Sequence, residues 1–298
     1  MMVIVKPMGG LGNQLFQYAA ARRLAHVNRL PIKIDISNYI ARSDDTRVDP
    51  RLYELDRFNL DGTIASDDDL AQLQEKNLEV FWKKTRHQLH LPIHYYQKPY
   101  IYEPQENQYR LDVDFLRLRV RRTVCLIGFW ESEGYFKDIE DCIRREYMLK
   151  VPPDDRNAEL LAQISQSNAV SLHIRRGDKA AQSPWGALPM DYYVSATDYV
   201  AARSSPPHFY VFSDDAEWAT ENFHLPHPVT IVAHNTSAAE DLRLMASCRH
   251  HIVANSTFSW WGAWLGQNPA RLVIAPRRYF QNADRPAPDF YPPSWVLI

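Results

Sequence analysis

No apolar run in this chain of 298 residues is long enough to cross a membrane, and Met1-Met2-Val3-Ile4-Val5-Lys6 is too short for a secretory signal. A cytoplasmic protein is the expectation. Cysteine is scarce: Cys125, Cys142 and Cys248 are odd in number and widely spaced, which fits neither a disulfide framework nor a zinc site. Reduced, buried thiols are expected. Neither sign of charge is in excess, with 34 Lys and Arg against 36 Asp and Glu and a formal net charge of −2. No global field draws nucleic acid, so any anion site must be local. The sequons Asn235-Thr236-Ser237 and Asn255-Ser256-Thr257 would matter only in a secreted chain and are expected to be accidental.

The length and a composition of 45% hydrophobic and 23% charged residues describe an ordinary globular protein of two domains or one large α/β unit. Aromatics are plentiful, with 8 Trp and 16 Tyr. Such rings pack on sugars and bases, although most fill cores.

The most informative stretch is His173-Ile174-Arg175-Arg176-Gly177-Asp178, directly after the apolar run Ala169-Val170-Ser171-Leu172. A buried strand ending in two arginines and a glycine places planar, permanently charged donors where open α/β sheets bind ligands. An anion is the matching partner; surface ion pairing is the bland reading. Near the amino terminus a β-type run, Met2 to Val5, precedes Gly9-Gly10-Leu11-Gly12-Asn13-Gln14 and an alanine-rich helical segment, Leu15 to Ala25. Strand, glycine loop and helix bring backbone N–H groups close to a phosphate or sugar, or else make a simple tight turn. A dinucleotide fingerprint would need glycine where Leu15 stands. Pro31 to Ile36 reads as a second strand with Asp35 at its end.

Residues 41–110 carry little readable chemistry, apart from Asp67-Asp68-Asp69 capping a helix to about Lys76. Arg117, Arg119, Arg121 and Arg122 alternate with Leu118 and Val120 as a strand with a solvated basic face. Val124 to Trp130 is a further strand, and Glu131 to Phe136 leads into a helix near 135–148. Trp130 and Glu131 either bind sugar or pack and cap that helix.

Val151-Pro152-Pro153-Asp154-Asp155 marks the best domain boundary, dividing the chain into 1–150 and 151–298. Beyond it, strands at 169–175, 209–213, 229–233, 251–254 and 272–275 alternate with helices near 189–203, 215–222, 238–247 and 258–266, the pattern of a parallel sheet covered on both faces. The strand ends present His173 to Asp178, then Asp214, then Asn255, Ser256, Thr257 and Phe258. Hydroxyls and N–H groups at a helix start beside Arg175 suit a diphosphate, and Asp214 suits a ribose or guanine edge. No Walker lysine follows the glycines, which disfavours a P-loop phosphotransferase.

The segments GGLGNQLFQYA, GFWESEGYF, HIRRGD, FSDD and DLRLMASCRHHIVANSTFSWWGAWL together resemble the bacterial α1,2-fucosyltransferases over nearly the whole chain. The resemblance implies an α/β GT-B fold of two Rossmann-like domains facing a cleft, with the acceptor on the 1–150 side and GDP-fucose in 151–298. It implies inverting transfer of L-fucose to the 2-hydroxyl of a terminal β-galactoside without a metal or other cofactor. Arg175 then matches the diphosphate-binding arginine, with His173 and Arg176 beside it. Asp214 falls at the nucleoside position, and Asn255, Ser256, Thr257 and Phe258 form the phosphate-contacting turn. Gly10, Gly12 and Asn13 form the first-domain loop that reaches the donor. Arg175, Asp178 and Asn13 are the expected catalytic set, and Trp130, Glu131 and Asp35 the expected acceptor contacts. Lys179 departs from the aromatic residue many relatives carry there. The implied partners are GDP-fucose and a galactose-terminated oligosaccharide, with a peripheral membrane position where that acceptor is lipid-linked, and no nucleic acid.

Leaving-group charge would fall on Arg175, and Asp178, Asp35, Glu131 or His173 would take the acceptor proton. Asp112-Val113-Asp114 has metal-binding spacing but lies far from the diphosphate turn in sequence. Three alternatives stay open: an NAD-dependent oxidoreductase built on Gly10 to Leu15, a non-catalytic lectin-like protein with a tryptophan groove, and, closest, a fucosyltransferase using GDP-fucose with another acceptor hydroxyl.

Overall fold

The structure is a computed structural model and describes residues 1–40, 51–73, 98–104, 109–177, 185–204, 206–281 and 284–298. The chain divides into two compact units, Met1–Met148 and Leu149–Ile298.

In the first unit, β1 (Val3–Val5), β2 (Ile32–Ile34), β3 (Thr63–Ile64), β4 (Tyr100–Tyr102) and β5 (Val124–Ile127) form a parallel sheet in the order β3-β2-β1-β5-β4. Central β1 is wholly buried, as expected of a parallel strand covered on both faces. Helix α1, Leu11–Asn28, buries Ala19, Ala20 and Ala21 completely, and these small side chains let it lie close to its neighbours. Its polar residues are tied down as well. Tyr18 Oη donates to Glu146 Oε2 at 2.6 Å, Arg22 Nε to Glu146 Oε1 at 2.7 Å, and Arg23 Nη2 to Asp138 Oδ2 at 2.8 Å.

Three sequence expectations need correction here. The first helix begins at Leu11 rather than Leu15, because extended Gly10 caps it and its carbonyl accepts from Asn13 N and Gln14 N; Gly12 and Asn13 therefore sit in the first turn. The arginines at 117–122 are not in a strand. They follow the one-turn helix Val113–Leu116, with Leu118 buried and Arg117, Arg119 and Arg121 exposed. In place of one helix over 135–148 there are 3-10 turns at Glu133–Tyr135 and Lys137–Ile139 and then a helix at Glu140–Glu146. The acidic run at 67–69 does begin a helix, Asp67–Ala71, but Ser66 is its cap, in a capping box with Asp69. The expected extension to Lys76 lies outside the described residues. Asp112 and Asp114 owe their spacing to capping, since Asp112 accepts from the Asp114 and Phe115 amides.

The second unit holds β6 (Ala169–Ile174), β7 (His208–Ser213), β8 (Val229–Val232), β9 (His250–Ile252), β10 (Val273–Ala275) and β11 (Val296–Leu297), all parallel in the order β11-β10-β9-β6-β7-β8. Helices at Asp155–Gln166, Met190–Ala201, Ala216–Asn222, Ala238–Ser247 and Thr257–Leu265 lie between the strands. Period-two alternation divides the core. Phe209 and Val211 pack with Tyr193, Ala196 and Val200, while Tyr210 and Phe212 pack with Leu160, Ile164 and Met245. The sheet order reverses between β6 and β9, and a crevice beyond that point is where such sheets bind ligands.

A half-buried polar network joins two of these helices. His234 Nε2 is 3.0 Å from Asn157 Oδ1, Asn157 Nδ2 donates to Asn235 Oδ1 at 2.8 Å, and Asn235 Nδ2 donates to Asp241 Oδ1 at 2.8 Å. Desolvation pushes the Asp241 carboxyl up to about 6, and nearby Glu240 adds to the rise. The native state therefore holds a proton that the unfolded chain has released between roughly pH 4 and 6. This contribution is fully present below about pH 4 and is lost as pH rises through about 6. Asp241→Asn should flatten that part of the stability profile and raise stability near pH 7.5 by on the order of 1–2 kcal/mol. Urea unfolding of both proteins from pH 4.5 to 8 checks this; parallel profiles would refute it.

Candidate active site

Strand β6 ends at Ile174, and the chain then presents Arg175, Arg176 and Gly177 beyond the sheet edge, beside the end of β7 at Ser213. Asp214 organises this corner. Its Oδ2 lies 3.1 Å from Arg175 Nε, and its Oδ1 accepts from the Arg176 backbone N–H at 2.9 Å. One carboxylate thus fixes both a side chain and the main chain of the turn. A Cβ at Gly177 would stand 2.6 Å from Asp214 Oδ2, so the absence of a side chain there is what admits the carboxylate. Buried Tyr193 also hydrogen-bonds the Arg175 backbone, and burial raises its hydroxyl above the ordinary phenol pKa.

Arg176 turns elsewhere. Its guanidinium carbon lies 3.8 Å from the centroid of the Trp218 ring, and its Nε lies 3.8 Å from Asp215 Oδ2. Asp215 is the cap of helix Ala216–Asn222, accepting from Trp218 N at 3.1 Å. The two arginines therefore have different duties, as alternation along an extended chain requires. Among the predicted donor contacts, Arg176 is placed by its side chain in packing.

The neighbouring strand β9 leads to the other wall, Val253 to Ser256 and helix Thr257–Leu265. Asn255 is wholly buried, and its Nδ2 donates to the carbonyls of Trp185, Gly186 and Tyr279, each at 3.0 Å. Its side-chain amide thus pins three loop segments, a positioning task. Ser256 caps the helix by accepting from Phe258 N, and the Phe258 ring lies 5.6 Å from that of buried His173. A helix start and an oriented guanidinium stand on adjacent strands, an arrangement able to hold an anion.

In the first unit, the turn after β1 is held by two buried glutamines. Gln14 bonds Gly9 O, Leu52 O and Glu54 N, while Gln17 bonds both Met8 N and Met8 O. Gly9 has φ +80, the left-handed region where glycine is at ease, and its missing Cβ leaves room for Asn13 Nδ2. Asn13 is half-buried on a turn where Leu11, Gly12 and Gln14 are buried. Asp35 is 7% exposed; its Oδ2 lies 3.4 Å from Lys6 Nζ and its Oδ1 accepts from Ser37 N. Glu131 is 4% exposed. Trp130 is not an accessible sugar platform, because it is completely buried between Phe115 and Tyr135, with ring centroids 4.5 and 5.3 Å away. Asp178 and Lys179 lie outside the described residues.

Sequence reasoning passed over Glu103, at the end of β4. It accepts from Phe129 N at 2.7 Å and Trp130 N at 3.1 Å, and burial raises its carboxyl pKa. Gly128 has φ +149, and a Cβ there would lie 2.4 Å from Glu103 Cβ. The signal was the alternating Tyr100-Ile101-Tyr102 ending in a carboxylate. Tyr193 and Trp218 were also missed, since nothing local distinguishes them from core aromatics.

A sequence model described as glycosyl transferase family 11 matches residues 2–298. The chain belongs to that family. It is 32% identical over 296 residues to the Escherichia coli O-antigen biosynthesis glycosyltransferase WbnK, covering 93% of this chain and 94% of that protein. Identity to an Escherichia coli alpha-1,2-colitosyltransferase is 30% over 310 residues, covering 99% and 98%. Identity to the Oryctolagus cuniculus galactoside alpha-(1,2)-fucosyltransferase 1 is 26% over 311 residues, covering 99% of this chain and 72% of that protein. Among solved structures, a GDP complex of an Arabidopsis thaliana FUT1 variant aligns with a TM-score of 0.50 at 12% identity, covering 97% of this chain and 73% of that one.

The protein is a glycosyltransferase with a GT-B fold of two Rossmann-like units. Family membership displaces the oxidoreductase and the lectin-like protein. The glycines after β1 do not belong to an oxidoreductase, and among the described residues Trp130, Trp260, Trp261 and Trp264 are exposed by 2% or less and line no groove. No helix among the described residues is long and apolar enough to cross a membrane.

The tight approach at Gly177 gives a direct test of the corner. Gly177→Ala should push Asp214 off its two partners and lower glycosyltransferase turnover by about tenfold or more, since misplacements near 1 Å are costly in active sites. Steady-state rates and thermal midpoints would be measured together. Undiminished turnover would show that the Asp214 contacts do not govern activity.

Proposed function

We propose that this glycosyltransferase moves L-fucose from GDP-fucose to the 2-hydroxyl of a terminal β-galactoside, with inversion at the sugar carbon and without a metal ion. The observation carrying this reading is the Arg175–Asp214 pair at the reversal of strand order, beside the Ser256-capped helix. Support also comes from relatives named for α1,2 transfer, one of fucose to a galactoside and one of colitose. Colitose lacks the 3-hydroxyl of L-fucose, and the 30% identity to the colitosyltransferase favours GDP-colitose as a second donor reading. Side-by-side turnover with the two donors, on a galactoside panel with linkage analysis of the product, decides donor and acceptor.

In the proposed reaction the acceptor 2-oxygen attacks the anomeric carbon opposite the phosphate. The carbon–oxygen bond to GDP breaks, its electron pair leaves with the diphosphate, and the hydroxyl proton passes to a base, for which Asp178 is our candidate. Arg175 would meet the growing negative charge, with amides at the Ser256 turn donating from the other side. Asp214, engaged at the Nε edge, holds the guanidinium plane so that Nη nitrogens face the leaving group. Asn13, in the first turn of α1, is assigned to the sugar-donor complex.

Arg175→Lys keeps the charge but removes the planar fork and the Nε contact. If the contact strengthens in the transition state, kcat should fall by on the order of 10²-fold while donor affinity changes less. Arg176→Lys, altered where the side chain packs on Trp218, should keep turnover within a few-fold and lower the thermal midpoint slightly. The reverse pattern would assign the leaving group to Arg176. Calorimetric GDP binding and turnover should both survive excess EDTA. Loss of both, restored by Mg²⁺, would overturn the metal-free mechanism.

A further inference from the structure

A cavity of about 520 Å³ opens beyond the ends of β10 and β11, lined by Arg277, Arg278, Arg285, Phe280 and Tyr291 among others. Among the described lining residues Asp284 alone brings negative charge to this wall of three arginines. Arg277 is held in place by the last strand, its backbone N–H donating to Ile298 O at 2.8 Å and Nη2 to Leu297 O at 3.2 Å. Arg278 is exposed, and its guanidinium has no ion-pair or hydrogen-bond partner among the described residues. The Arg285 guanidinium carbon lies 5.5 Å from the centroid of the Phe280 ring. Tyr291 is 9% exposed and contributes to the aromatic part of the cavity wall.

This cavity is coupled to the candidate donor turn through one side chain. Asn255 Nδ2 donates to Tyr279 O in the cavity wall, and Asn255 itself immediately precedes Ser256. Strand β10 lies two places from β6, roughly 10 Å along the rim of the same sheet. A saccharide chain covers such a distance with two or three units. Arginines paired with aromatic faces suit an anionic group attached to sugar rings.

We infer that this cavity is a subsite for an anionic group, carboxylate or phosphate, carried by the acceptor glycan. The inference rests on the proposed function and names a substrate class for it. Three acceptors separate the possibilities: a neutral β-galactoside, the same galactoside bearing a uronic acid, and the same galactoside linked to a diphosphate. Each is assayed with wild type, Arg278→Ala and Arg278→Glu, alongside calorimetric binding of each acceptor without donor. Wild type should show a KM at least tenfold lower for one or both anionic acceptors, and Arg278→Glu should erase that advantage. KM and kcat for the neutral galactoside should stay within twofold, with thermal midpoints unchanged. An advantage confined to the uronic acid or to the diphosphate identifies the source of the charge. Equal wild-type KM for all three, or equal losses in Arg278→Glu with charged and neutral acceptors, would overturn the inference. So would a change confined to donor KM. If no acceptor is fucosylated, the proposed function fails, and the cavity is still judged by calorimetry: charge-dependent binding lost in Arg278→Glu upholds it, and indifference to charge overturns it.

Discussion

The Asp214 carboxylate is the contact on which the candidate site depends. With one oxygen near Arg175 Nε and the other accepting from the Arg176 backbone, it converts the end of β6 from a strand terminus into a fixed turn. Both charged side chains are about one-fifth exposed, so the pair is partly shielded from solvent, and the hydrogen bond from the Arg176 backbone N–H holds the same carboxylate. Gly177 makes room for it, and Tyr193 braces the Arg175 backbone from within the core. A chain without net positive charge needs such an arrangement to attract an anion. With a net charge of −2 there is no general attraction for an anion, and local orientation must supply it.

Much of the second unit was legible because its strands and helices alternate with clear periodicity. All five expected strands of that half and the four helices expected between them exist, within a few residues of their expected ends. The sixth strand escaped notice because Val296–Leu297 is two residues long, in a proline-rich tail, and is recognisable only through its pairing with β10. The first unit was harder to read. Glycines argue locally for a loop, yet Leu11 and Gly12 are helical because Gln14 and Gln17 hold the preceding turn from inside the helix. That support lies in side-chain geometry, which propensity does not record.

The candidate residues divide along the same line. Candidate residues at strand ends stand out in the sequence because residue type and position point to the same chemistry there. Whether a side chain faces ligand or core depends on the backbone turn that carries it. Trp130 has φ +56, and this turn, fixed by Glu103 at the neighbouring amides, swings the indole into the Phe115 and Tyr135 cluster. Asn255 has a residue type suited to sugar or phosphate, but three carbonyls surround its amide. Both lie in the candidate motifs without offering an accessible side chain. They shape the loops that do.

That distinction gives a physical reason for two adjacent arginines. An arginine that serves a leaving group must keep its orientation when the ligand is absent, because reorganising it during the reaction would reduce the stabilisation it provides. Asp214 can hold Arg175 only if the following residue is anchored as well, since Asp214 also holds the Arg176 amide. Packing of the Arg176 guanidinium on Trp218, close to Asp215, anchors that residue, and Asp215 simultaneously starts the helix that follows β7. The second arginine thus ties the turn after β6 to the helix start after β7, and the first is left poised at the crevice. Lysine at 175 and lysine at 176 are therefore not equivalent changes even though each keeps the total charge. Specificity for one arginine over the other is a property of the two aspartates at 214 and 215, each of which engages a different guanidinium.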